Sequence, residues 1–271
     1  MTSLPIIFIH DGNSDYLRYS LAQAALTNPE RQICLVGDDS NDCYPFCKHY
    51  PFRDYIANAV AFSERYLHLS PNDSGFELFC FVRWFILRDF MLLNKLEQAV
   101  YIDSDIMLYD NLHDDWQAAA GCDIAICGVA PPVMITNIFA LDEFCRFMEE
   151  SYGREEGRKA LVRRYEDMQR SGIIGGICDM TLWEIMLQNR RSRVLDLSTP
   201  DGSGNVYDCN LQLSHGYVMH DGIKKITWKG GRPFGTRLDG SMVRFKGLHF
   251  HGEKKRMGTF YHDWFDSLAT P

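Results

Sequence analysis

The chain has 271 residues, 46% hydrophobic and 24% charged, the composition of an ordinary globular protein long enough for one large α/β domain or two small ones. A formal net charge of −8 argues against a nucleic-acid partner, which would want a basic surface. It leaves room for a phosphorylated ligand, because a few local cations or a metal can hold one.

Ile6 to Ile9 is a short apolar run that stops at the turn-prone His10-Asp11-Gly12-Asn13, which predicts a buried strand and a loop. The start of the chain lacks the basic region and the long apolar stretch of a signal peptide. Asn13 or Ser14 can cap a helix with Leu17, Leu21 and Ala25 on one face. Gln32 to Val36 reads as a second strand, ending in Gly37-Asp38-Asp39. Strand, helix, strand is a βαβ unit and predicts a parallel sheet. Residues 42–74 read as irregular, broken by Pro45, Pro51 and Pro71. Asn72-Asp73-Ser74 offers caps for a long helix, Phe76 to Leu93, apolar almost all round and so deeply buried. Its Glu77, Arg83, Arg88 and Asp89 argue against a membrane span; no transmembrane segment is expected, and peripheral membrane contact stays compatible with the chain.

Ala99 to Ile102 is the next strand, Asp123 to Val129 another, and Asp142 to Tyr152 a helix. Glu155 to Arg170 is a charged, solvated helix, and a glycine-rich turn at Gly172 to Gly176 leads into a helix from Asp179 to Asn189. Beyond it glycine and proline are frequent and apolar runs are short. With no long linker and no repeat, one domain over residues 1–271 is expected, its nucleotide-binding half reaching to about residue 110 and its acceptor half following. The nine cysteines (Cys34, Cys43, Cys47, Cys80, Cys122, Cys127, Cys145, Cys178 and Cys209) are odd in number and scattered. No C-x-x-C pair occurs, which argues against a zinc ribbon and for free thiols in a reducing, cytoplasmic compartment.

The sharpest local signal is Val100-Tyr101-Ile102-Asp103-Ser104-Asp105. Two carboxylates at the rim of a buried strand cannot both be desolvated without a cation nearby. Hard oxygens of this kind suit Mg²⁺ or Mn²⁺, which share substrate phosphates. The plain alternative is a pair of aspartates capping a turn. The second signal is Gly247-Leu248-His249-Phe250-His251-Gly252-Glu253-Lys254-Lys255. A neutral imidazole ligates a Mn²⁺-like ion, a glycine admits close backbone approach, and a lysine is a point charge for phosphate.

The segment Val100 to Leu112 resembles the D-x-D segment of GT-A-fold glycosyltransferases, especially the family of glycogenin and the lipopolysaccharide galactosyltransferases. His249 to Lys255 resembles that family's H-F-x-G-x-x-K motif, spacing included. The resemblance implies a GT-A fold with a mostly parallel central sheet flanked by helices. It implies a retaining, metal-dependent enzyme that moves a sugar from a nucleotide-sugar, preferably a UDP-sugar, to a glycan, lipid-linked or protein acceptor. It also implies metal ligation by Asp103, Asp105 and His249, and donor contacts from Asp103, Ser104, Gly252 and Lys255. Asp11, after the first strand, and Asp38, after the second, are further donor candidates; either serves equally as a turn residue or helix cap. Arg83 falls where the family keeps a basic residue near the donor; its alternative is an ion pair with Asp89 or Asp110. Asp179 stands where retaining members carry a glutamine near the anomeric carbon, and is the catalytic candidate, with helix capping as its alternative. Arg256-Met257 replaces the family's usual Pro-Trp. His215 and His220 belong to no motif, and Trp183, Trp228 and Tyr217 read as core before sugar-stacking residues.

Two other classes stay open. A haloacid-dehalogenase-type phosphohydrolase also ends a strand in D-x-D, but wants Thr or Val where Met107 stands and places the motif nearer the N-terminus. A non-catalytic nucleotide-sugar or glycan-binding protein on the same fold would have no reason to keep both metal-binding segments. A nucleotidyltransferase lacks its basic, glycine-rich loop after the first strand.

Overall fold

The structure, a computed structural model, describes residues 4–189 and 193–261, so Met1 to Ser3 of the N-terminal reading lie outside the described residues. The chain opens with β1 (Ile6–His10), α1 (Leu17–Thr27), β2 (Ile33–Gly37), β3 (Lys48–Pro51), α2 (Ala57–Ser63) and α3 (Ser74–Leu93). It continues with β4 (Ala99–Tyr101), β5 (Ile106–Leu108), α4 (His113–Ala118), β6 (Ile124–Cys127), β7 (Ala130–Ile135), α5 (Ile138–Gly153), α6 (Glu155–Arg170) and α7 (Asp179–Asn189). The last third holds β8 (Val194–Asp196), β9 (Val206–Tyr207), β10 (Met219–His220), β11 (Ile223–Lys224), β12 (Ile226–Lys229), β13 (Arg232–Thr236), β14 (Met242–His249) and the short α8 (Met257–Phe260).

The central sheet runs β3-β2-β1-β4-β7-β6-β8. The pairs β3–β2, β2–β1, β1–β4 and β6–β8 are parallel, while β4–β7 and β7–β6 are antiparallel. This is the mostly parallel sheet expected. Both faces are covered, which is why its strands read as unbroken apolar runs rather than alternating ones. Ile7, Ile9, Cys34 and Val36 face a layer holding α2, α3, α5 and α7, whereas Ile6, Phe8, Ile33 and Leu35 pack with Leu17, Leu21 and Ala24 of α1 and Leu112 beside α4.

A second sheet, β12-β13-β14-β5 with β9 on the side of β14, carries its own apolar cluster around Phe245, Leu248 and Phe250. Several short elements escaped the sequence reading: β3 and α2 inside the stretch read as irregular, the proline-bearing β7, and most of the second sheet. Asp73 caps α3 as expected, its Oδ1 accepting from Phe76 N at 2.9 Å. α3 is buried along most of its length, although Phe76, Leu92 and Leu93 are exposed. The cap expected for α1 is absent: Ser14 gives Leu17 N its backbone carbonyl, at 3.0 Å, and its hydroxyl goes to His10. Trp183 is a core residue, fully buried and stacked on Phe144. Cys127 and Cys209 form a disulfide, a departure from the expectation of free thiols throughout; the other seven cysteines are free. No helix among the described residues is long and apolar enough to cross a membrane.

Candidate active site

The strand β4 ends at Tyr101, and two residues later the chain presents Asp103, Ser104 and Asp105 beyond its carboxyl end. The next three residues form β5, which pairs antiparallel with β14 in a register that sets His249 opposite Ile106. Phe250 N donates to the Asp105 carbonyl at 2.8 Å and extends the ladder by one bond. The pairing brings His249 Nε2 to 3.3 Å from Asp105 Oδ1. Asp103, Asp105 and His249 each offer an atom that could ligate a metal, all within 4.8 Å of one another. The other ring nitrogen of His249, Nδ1, is buried with no hydrogen-bond partner among the described residues. Such an orphaned polar atom costs free energy unless a further group reaches it.

The acidic pair is held from behind. Arg83 Nη1 donates to Asp103 Oδ1 at 2.6 Å, and Tyr101 donates its hydroxyl to the same oxygen at 2.7 Å. Arg83 Nη2 donates to Asp179 Oδ2 at 2.7 Å, and Trp84 Nε1 to that oxygen at 2.8 Å. The guanidinium is thus a bridge between two carboxylates, a geometry that a planar fork provides. Burial would lower the pKa of Arg83, but Asp103 and Asp179 raise it well above its usual value. Arg83 meets neither Asp89 nor Asp110: Arg88 takes Asp89, and Arg232 and Arg244 take Asp110. Asp179 opens α7, yet its carboxylate is only 3% exposed and engaged by Arg83 and Trp84.

Lys254 Nζ lies 3.5 Å from Asp105 Oδ2 and 5.2 Å from the centre of the Tyr16 ring. Burial alone would raise the Asp105 carboxyl; the His249 imidazole and Lys254 outweigh it and hold the group well below the usual carboxylate range. Burial would lower the His249 imidazole, and the Asp105 carboxylate outweighs that and raises it. Three carboxylates (Asp103, Asp105 and Asp179) therefore face two permanent cations (Arg83 and Lys254), with the His249 imidazole against Asp105 as a third partner.

On the β1 side, His10 Nδ1 is 2.9 Å from Ser104 Oγ and its Nε2 3.2 Å from Ser14 Oγ. Burial, aided by Lys254, lowers the His10 pKa to about 4, so the ring is neutral at neutral pH. Asp38 accepts from the backbone N–H groups of Gly12 and Ser40, which makes it a brace of the loop after β1. Asn41 Nδ2 binds the carbonyls of His10 and Gly12 at 3.0 and 2.8 Å. A Cβ at Gly37 would stand 2.1 Å from Asn41 Oδ1, so only glycine lets that brace close.

The structure thus gathers Asp103, Ser104, Asp105, Arg83, Asp179 and His249 into one connected set. Asp11 and Lys255 are exposed. Gly252 adopts φ +78°, and a Cβ there would meet Gln212 Oε1 at 2.9 Å. Sequence reasoning missed Lys254, His10, Tyr16 and Tyr101. Three left a trace as neighbours: Lys254 beside the lysine that was chosen, His10 beside Asp11, and Tyr101 two residues before Asp103.

No sequence-family profile matches this chain, and no curated protein sequence is significantly similar to it. Its fold is that of the apo form of mouse xyloside xylosyltransferase 1, with a TM-score of 0.50 and 13% identity over 78% of this chain and 88% of that one. GlyE of Streptococcus pneumoniae TIGR4, a glycosyltransferase, gives a TM-score of 0.35 at 16% identity over 74% of this chain. The apo bifunctional glycosyltransferase WbbM gives 0.41 at 15% identity over 77% of it. The chain spans 46% and 40% of the lengths of these two. The first likeness, together with the mixed sheet, identifies the fold as GT-A, as expected from the sequence. Glycosyltransferases share that fold, and at these identities the likeness speaks for the fold alone.

Proposed function

We propose that the chain is a metal-dependent glycosyltransferase that moves a sugar from a nucleotide-sugar, preferably a UDP-sugar, to an acceptor hydroxyl. The observation that carries the reading is the convergence of Asp103, Asp105 and His249 within 4.8 Å outside the carboxyl end of a sheet strand, where open α/β sheets bind ligands. Two carboxylates and an imidazole with an orphaned nitrogen fit a Mn²⁺ or Mg²⁺ ion. A divalent cation held there would supply positive charge against a departing diphosphate.

The chain's own residues do the remaining work. Arg83 and Tyr101 occupy Asp103 Oδ1 and so orient the carboxylate, whose Oδ2 is the oxygen offered to a metal. We give Asp179 a positioning role: buried and engaged, it fixes Arg83 rather than touching the sugar. Lys254 brings its cation to the diphosphate, the role expected of Lys255. The loop after β1, braced by Asp38, holds the nucleoside side of the donor, with Asp11 at its exposed edge. Ser104 joins that loop to the acidic pair through His10. On transfer the C1–O bond to the diphosphate breaks and its electron pair leaves with the diphosphate. The acceptor oxygen bonds to C1 and passes its proton to an oxygen of the departing diphosphate. Retention of anomeric configuration is the outcome we propose, from the likeness of His249 to Lys255 to retaining members.

The test is a thermal-shift screen of nucleotides and nucleotide-sugars with and without Mn²⁺, because a ligand that binds only the native state raises its stability by mass action. UDP with Mn²⁺ is expected to give the largest shift, and Asp105→Ala to abolish it. An equal shift in the variant would remove the metal site from the account. UDP binding without UDP-sugar hydrolysis would favour a binding protein, and phosphate release from phosphate esters would favour a phosphohydrolase.

A further inference from the structure

A cavity of about 640 Å³ adjoins the candidate metal site at His249 and His251. None of the groups given to the donor, His10, Ser104, Arg83 or Lys254, lines it. Its walls come from the turn after β6, the start of α7 at Met180, and the segment from Val206 to Tyr217 with Arg237 facing it. It is thus a second compartment that meets the candidate metal site at the two histidines.

The charges in this compartment are uneven. Its carboxylate, Asp208, is neutralised by Lys224 Nζ at 2.5 Å, both side chains being 1% exposed. Asp208 Oδ2 also accepts from His249 N at 3.4 Å, and Lys224 donates to the Asn210 carbonyl at 2.6 Å, so this pair is spent on holding the wall. Arg237 makes no such close pair. Among the described residues it meets no carboxylate within ion-pair distance; its guanidinium carbon sits 6.0 Å from the centre of the Tyr217 ring. Asp239, two residues on, feels the Arg237 charge but spends its Oδ1 on the hydroxyl and N–H of Ser241. His215 also lines the cavity. In a chain of net charge −8, this lining carries two permanent cations, Lys224 and Arg237, against one carboxylate, Asp208.

The Arg237 backbone is also fixed in place. Tyr217 and Arg237 form a β-bridge, and backbone bonds run from Val218 N to Thr236 O at 2.8 Å and from Leu238 N to Gly216 O at 2.9 Å. A Cβ on Gly235 would stand 2.8 Å from the Tyr217 ring, so this corner closes only around glycine. His215 is held at φ +43°, a left-handed conformation uncommon outside glycine and frequent at sites of function. The rest of the wall offers apolar surface from Met180, Leu213 and Tyr217.

Resting on the glycosyltransferase reading, we propose that this compartment receives the acceptor and that the acceptor is a sugar-like hydroxyl compound bearing an anionic group, a carboxylate or a phosphate, which Arg237 reads. A guanidinium fork pairs with either anion through two parallel hydrogen bonds. The apolar wall takes the carbon face of the ring, and the attacking hydroxyl points toward the metal side.

The experiment is calorimetric titration of the full chain, saturated with UDP and Mn²⁺, with glucose, glucuronic acid, glucose 6-phosphate and inorganic phosphate. At least one anionic sugar is expected to bind tenfold or more tighter than glucose. Arg237→Gln is expected to erase that preference while leaving the response to UDP and Mn²⁺ unchanged. Arg237→Lys, which keeps the charge and loses the fork, is expected to fall between, and it serves if the glutamine variant fails to fold. Equal binding of charged and neutral sugars, or a preference that survives both variants, would overturn the proposal. Inorganic phosphate binding as tightly as the sugar phosphate would overturn it too, since the anion alone would then be the ligand. A wild-type chain blind to UDP would bring down the glycosyltransferase reading first and this assignment with it; a normal UDP response without anion preference brings down this assignment alone.

Discussion

Arg83 holds Asp103 at 2.6 Å and Asp179 at 2.7 Å, and its side chain is 12% exposed. Removing one partner from so buried a cluster leaves a charge uncompensated, typically a loss of about 3–5 kcal/mol. Arg83→Met should therefore lower the urea midpoint sharply. Arg83→Lys is the more telling change. It keeps the charge, but an ammonium cannot bridge both carboxylates in one plane. Transfer activity should fall at least tenfold in that variant while the fold survives; wild-type kcat/KM would remove Arg83 from the positioning role. Lys254 and Lys255 form a second contrast. Lys254 lies 3.5 Å from Asp105, whereas Lys255 is exposed. A hydrogen bond to a charged group contributes about 1.5–3 kcal/mol, roughly ten- to a hundredfold in affinity. Lys254→Ala should weaken UDP binding by that factor and Lys255→Ala by no more than about twofold, as titration with UDP and Mn²⁺ would show. The reverse order would restore the role first expected of Lys255. The motif spacing marked both lysines as neighbours, and the turn from Lys254 to Arg256 decided which of them reaches the acidic pair.

Among elements, β14 does most to build the site. Its pairing with β5 sets His249 against Ile106, and on its other edge Gly247 makes room for β9: a Cβ there would lie 3.0 Å from the Tyr207 ring. Cys209, beside β9, is tied to the end of β6 across 82 residues of chain. Closing a loop of that length constrains the unfolded chain, and such bonds contribute about 2–4 kcal/mol. Reduction, or Cys209→Ser, should therefore lower the melting temperature by several degrees, and the seven free thiols provide an alkylation control. An unchanged melting temperature on reduction would show that the crosslink adds nothing to stability. Long elements were legible because their signals are long. The 20 residues of α3 and the 16 of α6 carry several turns of pattern, and Asp73 marks where the first begins. Strands of two to four residues, such as β9 and β12, hold too little pattern to distinguish from loop.

Across the whole molecule, the second sheet is fastened to the helix layer by charge as well as by strand pairing. Lys246 of β14, buried, reaches Asp115 of α4 and Asp201 of the β8–β9 connection, each at 2.5 Å. Burial would raise the Asp201 carboxyl, but the Lys246 hydrogen bond and the N–H groups of Asn205 and Ser203 outweigh it and lower the pKa to about 2. A carboxyl whose folded pKa lies below its unfolded value of 3.8 binds its proton more readily once unfolded. Its contribution to stability is complete above about pH 4 and is lost as the pH falls toward 2. Asp201→Asn should flatten the acid limb of the stability curve in that window and leave the region above pH 5 parallel to wild type; an unaltered acid limb would contradict the linkage. The sequence alone determined the apolar runs of the central sheet, the long helices, and the two segments, Asp103 to Asp105 and His249 to Lys255, that could hold a metal. Those are local facts, set by side-chain type and by the backbone period of a single element. Only the tertiary structure decided that His249 stands beside Asp105, 144 positions earlier in the chain, that Asp179 binds Arg83, and that Arg237 faces the compartment next to them. Those facts depend on which strands pair and in which register, and pairing between distant short strands is settled by the packing of the whole chain rather than by any window of it.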